Sequence, residues 1–132
     1  MKRYISLLLF ILLLTVSCAP KNSDEVKTKM DSKGYNTLVY TKPEELTSYN
    51  KLYDIEGTKT VITAFKNSGT TIGDYCNIIL FDNTTNAKIA LNRLKEIDKN
   101  SEIKDQTVYA YKRVGCWVYY GTEQGMKDFE KN

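Results

Sequence analysis

Hydrophobic and polar positions change rhythm along these 132 residues, and each change marks an element. Residues 5–14 are an apolar block broken only by Ser6. Beyond it the rhythm is finer. Val26 and Met30, four apart with acids before them and Gly34 after, predict a short helix over residues 24–33. Residues 35–41 (YNTLVYT) are β-branched and aromatic, which predicts a strand. Pro43, Glu44 and Glu45 open a helix through Tyr53, since proline suits a first turn and carboxylates suit the positive end of the helix dipole. Residues 60–66 predict a strand, residues 67–74 a polar loop, and residues 75–81 (YCNIILF) another strand. That last strand is apolar at odd and even positions, so it is expected to be central and covered on both faces. Ala87, Ala90, Leu91, Leu94 and Ile97 make one stripe on a helix over residues 85–99. Residues 107–112 and 116–120 predict a hairpin turning at Arg113, Val114 and Gly115. Thr122 caps a final helix over residues 123–131, with Met126 and Phe129 inward.

The order α-β-α-β-β-α-β-β-α contains helix–strand–strand twice, over residues 43–81 and 84–120, without a shared residue motif. Two hairpins can enter one antiparallel sheet. The expected fold is a single α+β domain over residues 24–132, a two-layer sandwich with helices on one face of the sheet and a repeated αββ order.

The first block has a different purpose. Lys2 and Arg3 form a basic head, the apolar run follows, and Thr15, Val16 and Ser17 lead into Cys18. Head, run and small residues are the layout of a secretory signal peptide over residues 1–17. The run is too short for a mature membrane span, which needs roughly 20 residues. Ser17 before Cys18 at the end of such a run resembles the lipobox of bacterial lipoproteins, although Thr15 stands where leucine is commoner. The resemblance implies cleavage between Ser17 and Cys18 and a diacylglyceryl thioether on Cys18. Two or more acyl chains hold a protein firmly where one does not. Residues 18–23 then read as a lipidated cysteine and a polar tether. The resemblance covers the leader and Cys18 alone.

Removing the first 17 of 132 residues leaves 115, enough for one core. Lys2 and Arg3 leave with the leader, so 17 basic residues face 16 acids, a net of +1. A nearly neutral domain carries no electrostatic footprint for nucleic acid. Histidine is absent, which removes the commonest general base and metal ligand. Neither a Walker loop nor GxGxxG is present. No cofactor or metal is expected. Acids such as Glu44, Glu45, Glu96, Asp98 and Glu102 fall at exposed-looking positions, so no catalysis is expected either.

Two kinds of residue remain. Cys76 and Cys116 both begin predicted strands in an exported chain, where disulfides persist. If the strands are neighbours, the pair is a candidate disulfide worth roughly 3–4 kcal/mol in the chain-entropy model. The alternative is two buried thiols acting as small hydrophobes. The last hairpin carries Tyr109, Tyr111, Trp117, Tyr119 and Tyr120. Tyr111 is expected across from Cys116, with Tyr109, Tyr111 and Tyr120 on one face and Trp117 and Tyr119 on the other. In a two-layer fold one set stays partly exposed, and such aromatics suit partner contact; the alternative is cross-strand pairing that only stabilises the sheet. The expectation is a membrane-anchored, extracytoplasmic, non-enzymatic binding domain for an envelope protein or ligand. The alternatives are an accessory solute-binding role beside a transporter and a carboxylate-dependent hydrolase.

Overall fold

The computed structural model describes residues 19–102 and 107–131. The leader and Cys18 lie outside the described residues. Among those described, no helix is long and apolar enough to cross a membrane. In chain order the elements are α1 (Ser23–Ser32), β1 (Asn36–Tyr40), α2 (Pro43–Tyr53), β2 (Thr58–Ser68), β3 (Thr71–Phe81), α3 (Thr84–Asn100), β4 (Ala110–Val114), β5 (Trp117–Gly121) and α4 (Glu123–Glu130). The strands form one antiparallel sheet in the order β1-β2-β3-β5-β4. This is the expected single α+β domain, and β3 is its central strand. The αββ order recurs as α2-β2-β3 and α3-β4-β5, with the two hairpins joined along β3 and β5.

The helices were expected on one face and instead cover both. Ile62, Ala64, Cys76, Ile78, Trp117 and Tyr119 point to one side and meet Val26 and Met30 of α1 and Met126 and Phe129 of α4. Val61, Ile79, Phe81 and Val118 point to the other and meet Ala87, Ala90 and Leu94 of α3 and, less deeply, Leu46, Tyr49 and Tyr53 of α2. The reason lies in the strands. Neighbouring positions such as Ile78 and Ile79, or Trp117 and Val118, are both buried. A sheet apolar on two faces needs two covers. The thin stripe of α1 suffices because α4 lies beside it: Lys29 Nζ donates to the Phe129 carbonyl at 2.9 Å, and Lys33 Nζ to those of Asp128 and Lys131. Lysines at a helix C-terminus satisfy carbonyls that lack intrahelical partners.

Residues 67–74, expected as a loop, are mostly strand. β2 and β3 pair as far as Ser68 and Thr71, leaving a two-residue turn of Gly69 and Thr70. Gly69 has φ +64, a conformation glycine enters without steric cost and one that such a turn requires at its first position. The register shifts between Phe65 paired with Tyr75 and Asn67 paired with Ile72. The extra residue lies on β3, around Gly73 and Asp74. A bulge re-aims the next side chain, and Ile72 thereby joins the face of Phe65 and Tyr75.

The last hairpin turns at Gly115 (φ +58) and Cys116, not over residues 113–115. Tyr111 therefore pairs with Tyr120 rather than Cys116. The shift is four residues. Because side chains alternate with period two, an even shift leaves every residue on its expected face. The segment expected to be a tether is docked. The Trp117 indole donates to the Pro20 carbonyl at 2.9 Å, and Asn22 caps α1 by accepting from the Glu25 amide at 2.9 Å.

Candidate functional site

The α2/α3 face of the sheet is incompletely covered, and the gap is a cleft of about 570 Å³. Its floor is Thr63 and Phe65 of β2, Tyr75 and Asn77 of β3, Tyr120 of β5 and Tyr111 of β4. Tyr53 at the end of α2 forms one wall, and Leu94, Ile97 and Asp98 of α3 the other. Ile72, Ser101 and Val108 complete the rim. A second groove of about 320 Å³ lies on the same face, bounded by Tyr40 and Val61 of the sheet and by Tyr49 and Leu52 of α2. Thr63 lines both.

Local sequence explains why this face stays open. α2 starts well, with Pro43 in the first turn beside Glu44 and Glu45, and ends on Asp54 in the left-handed region at φ 53. No residue of α2 is fully buried, whereas α3 buries Ala87, Ala90 and Leu94. The seat between these helices is polar. Asn50 Oδ1 and Arg93 Nε are buried there without hydrogen-bond partners among the described residues, each at a cost in desolvation. The Arg93 guanidinium reaches Asp54 at 3.3 Å across the helices and Glu96 at 3.0 Å within α3.

Tyrosines dominate the electrostatics. The Tyr111 and Tyr120 rings lie 5.0 Å apart, and those of Tyr49 and Tyr53 4.7 Å apart. Burial pushes the Tyr120 hydroxyl well above its ordinary value, and the neighbouring Tyr49 and Tyr53 hydroxyls add to it. Tyr49 is raised for the same first reason, burial. Both stay protonated at neutral pH and serve as O–H donors. On the floor, Thr63 Oγ1 donates to Asn77 Oδ1 at 3.1 Å. Asp98 is the one charged side chain among the described lining residues. Such a site can enclose apolar or aromatic matter and offer a few directed hydrogen bonds. Among the described residues, no group of three or more carboxylates and thiols lies close enough to hold a metal ion.

The two aromatic sets have different fates. Trp117 and Tyr119 are buried against α1 and α4, and Tyr119 meets Phe129 edge-on at 4.7 Å. Tyr111 and Tyr120 line the cleft, and Tyr109 stands outside it, more than half exposed. Glu44, Glu45, Glu96 and Glu102 are exposed, while Asp98 is half-buried at the cleft wall.

The candidate disulfide is corrected: Cys76 and Cys116 are both free thiols. β3 and β5 are neighbours but antiparallel, so their starting residues lie at opposite ends. Cys76 pairs with Gly121, while the Cys116 carbonyl accepts from the Phe81 amide. Five residues of strand separate the thiols, about 17 Å, far beyond the span of a disulfide. Burial pushes the Cys76 thiol up, so it is inert.

The sequence reading did not single out Phe65, Ile72, Tyr75 or Ile97 as site residues. Only Ile72 carried a signal, a large apolar residue alone in a polar stretch. No known protein family matches this chain, and neither the curated proteins nor the solved structures contain a match to it.

Proposed function

We propose that this is a non-enzymatic binding domain, held on the extracytoplasmic side of the cell membrane by acyl chains on Cys18. Its cleft takes an uncharged apolar or aromatic group of its ligand. The cleft is the observation that carries this reading. Its size lies in the range of small-ligand sites, its lining is mainly hydrocarbon and tyrosine, and its hydroxyl and amide groups are few and convergent. Among the described lining residues there is no lysine or arginine, which disfavours an anionic ligand. Asp98 has no second carboxylate beside it among the described lining residues, which weighs against hydrolysis by a pair of acids. A second reading, capture of a small solute beside a transporter, draws on the same volume: about 570 Å³ holds one small molecule and no folded partner.

The test uses N-phenyl-1-naphthylamine, a neutral apolar dye that brightens out of water. The soluble domain is expected to bind it saturably with one dye per chain, and Ile97→Asp to abolish the signal. Absent or unsaturable binding overturns the cleft reading. Separately, Cys18→Ala is expected to move the protein from the membrane to the soluble fraction. Mass spectrometry of the wild type is expected to find acyl groups on Cys18.

A further inference from the structure

The docked start of the domain carries information about orientation. α1 begins at Ser23, and the residues before it are spoken for. Pro20 accepts the Trp117 indole proton, and a Cβ built on Gly115 would lie 3.3 Å from that of Ala19. Pro20 is therefore held near the turn of Gly115 and Cys116, and Ala19 lies beside it. The chain preceding it includes the apolar run and the candidate acylation site, so any attachment to lipid enters at this end of the sheet.

The sheet's direction sets the rest. The Phe81 amide bonds to the Cys116 carbonyl, so the end of β3 lies beside that turn. The opposite end holds the turn of Gly69 and Thr70. The cleft belongs to that far end, with Tyr75 and Ile72 of β3 in its lining. From Phe81 back to Tyr75 is six residues of strand, about 20 Å, and Ile72 lies about 30 Å away. Lys21 follows Pro20 and the Arg113 guanidinium folds onto the Gly115 carbonyl at 2.8 Å, two cations that suit anionic headgroups, while the acids at this end are Asp82 after Phe81 and Glu25, which accepts from the Lys21 amide.

We propose that the end of the sheet bearing Gly115 and Cys116 is the surface that faces the bilayer, and that the cleft opens away from the membrane toward water. The proposal rests on the anchoring at Cys18 stated above. The partner of this surface is a lipid headgroup layer. The cleft, whose lining runs from about 13 Å above that end at Tyr120 and Asn77 to about 30 Å at Ile72, receives its ligand from the aqueous side and does not draw it from the membrane. With Pro20 held by Trp117, a single residue, Ala19, separates it from Cys18 and leaves little slack for tumbling.

The chain has a single tryptophan, and it sits at the fastened end. Full-length acylated protein is reconstituted in phosphatidylcholine–phosphatidylglycerol vesicles containing a phospholipid with a headgroup spin label, which quenches nearby fluorophores. A second fluorophore is placed at the far turn as Thr70→Cys in a Cys116→Ser background, where buried Cys76 does not react. Trp117 is expected to lose most of its emission while the probe at position 70 keeps its own. A short Gly-Ser insert after Cys18 is expected to relieve the Trp117 quenching. Equal quenching at the two positions, or stronger quenching at position 70, overturns the orientation. Failure of anchoring is read separately, from intact mass and from sedimentation with the vesicles. If the protein is not acylated, the Cys116→Ser chain coupled through Cys18 to a maleimide lipid poses the same question. Unquenched Trp117 there overturns the orientation as well.

Discussion

The two faces of the sheet are built from the same strands and finished differently. On the α1/α4 side the cover is tight: Trp117 is 2% exposed, and Met30, Ile78 and Met126 are at or near zero. Its polar aromatic groups are partnered: the indole on Pro20, and the Tyr35 hydroxyl donating to Asp128 at 2.7 Å. On the α2/α3 side, Leu52 is 73% and Ile72 68% exposed, and Asn50 Oδ1 is buried without a partner among the described residues. One face holds the fold together, and the other leaves apolar surface open where a ligand can cover it. On the proposed reading stability and binding lie on opposite sides, and that division can be broken experimentally.

The largest expected effect is on the closed face. Trp117→Ala removes a buried indole and its hydrogen bond, and is expected to cost about 3–5 kcal/mol in chemical denaturation. Dye binding by the fraction that remains folded is expected to persist. A loss below about 1 kcal/mol would contradict the assignment of this face as the stabilising one, given how rarely a buried tryptophan is dispensable. Gly125→Ala comes next. Gly121 and Gly125 both approach the Tyr75 carbonyl so closely that a Cβ at either would collide with it. Backbone, unlike the end of a side chain, cannot turn aside, and the expected cost is about 1–3 kcal/mol or somewhat more. Thr122 holds this approach in place, its amide donating to the Tyr75 carbonyl at 3.0 Å and its Oγ1 accepting from the Gly125 amide at 3.2 Å.

The closed face was far more legible than the open one. Val26, Met30, Met126 and Phe129 announced themselves by helical spacing, and the mixed apolar run of residues 75–81 announced a central strand. The position of the last turn was misread, yet its faces were assigned correctly, since an even slip preserves alternation. Helices on one face only was the wrong inference because adjacent strand positions such as Ile78 and Ile79 are both buried, so the sheet needs cover on both sides. The disulfide failed on direction, which a list of neighbouring strand starts does not encode. The cleft was the least legible feature. Its lining comes from two helices, four strands and a connecting segment, and depends on a bulge near Gly73 that turns Ile72 toward Phe65. No local pattern records such a gathering.

A smaller effect on the closed face is electrostatic. Burial alone would raise the Asp128 carboxyl. Hydrogen bonds from Tyr35 and Gln124, with the nearby charges of Lys66 and Lys33, outweigh it and hold the group below its ordinary value. A carboxyl depressed in the folded state stabilises above its unfolded value, near pH 4, and that contribution fades as pH falls through the lower folded value. Tyr35 is raised, first by burial and then by its bond to Asp128, so its contribution is intact below about pH 10 and declines above it. Thermal denaturation is expected to show Tm falling on both flanks, with Asp128→Asn flattening the acid flank. An unchanged acid slope in that variant would remove Asp128 from the account.

The smallest expected effect on stability is the most informative about the open face. Ile72 lies at the cleft rim, is mostly exposed, and adjoins the bulge that turns it to the face of Phe65. Ile72→Ser shortens it and makes it polar without creating a buried cavity. Surface changes of this kind move stability by no more than about 0.5 kcal/mol in either direction. Affinity for N-phenyl-1-naphthylamine is nevertheless expected to fall, because the rim loses apolar area that would close over the dye. Leu52→Ser on α2, more exposed but outside the larger cleft, is the matched control and is expected to change neither quantity. If both variants weaken the dye equally, binding is spread over the exposed apolar surface and the cleft is not its seat. If Ile72→Ser instead destabilises by more than about 1 kcal/mol, the rim is structural, and the division of labour between the two faces fails at the residue where it is drawn most sharply.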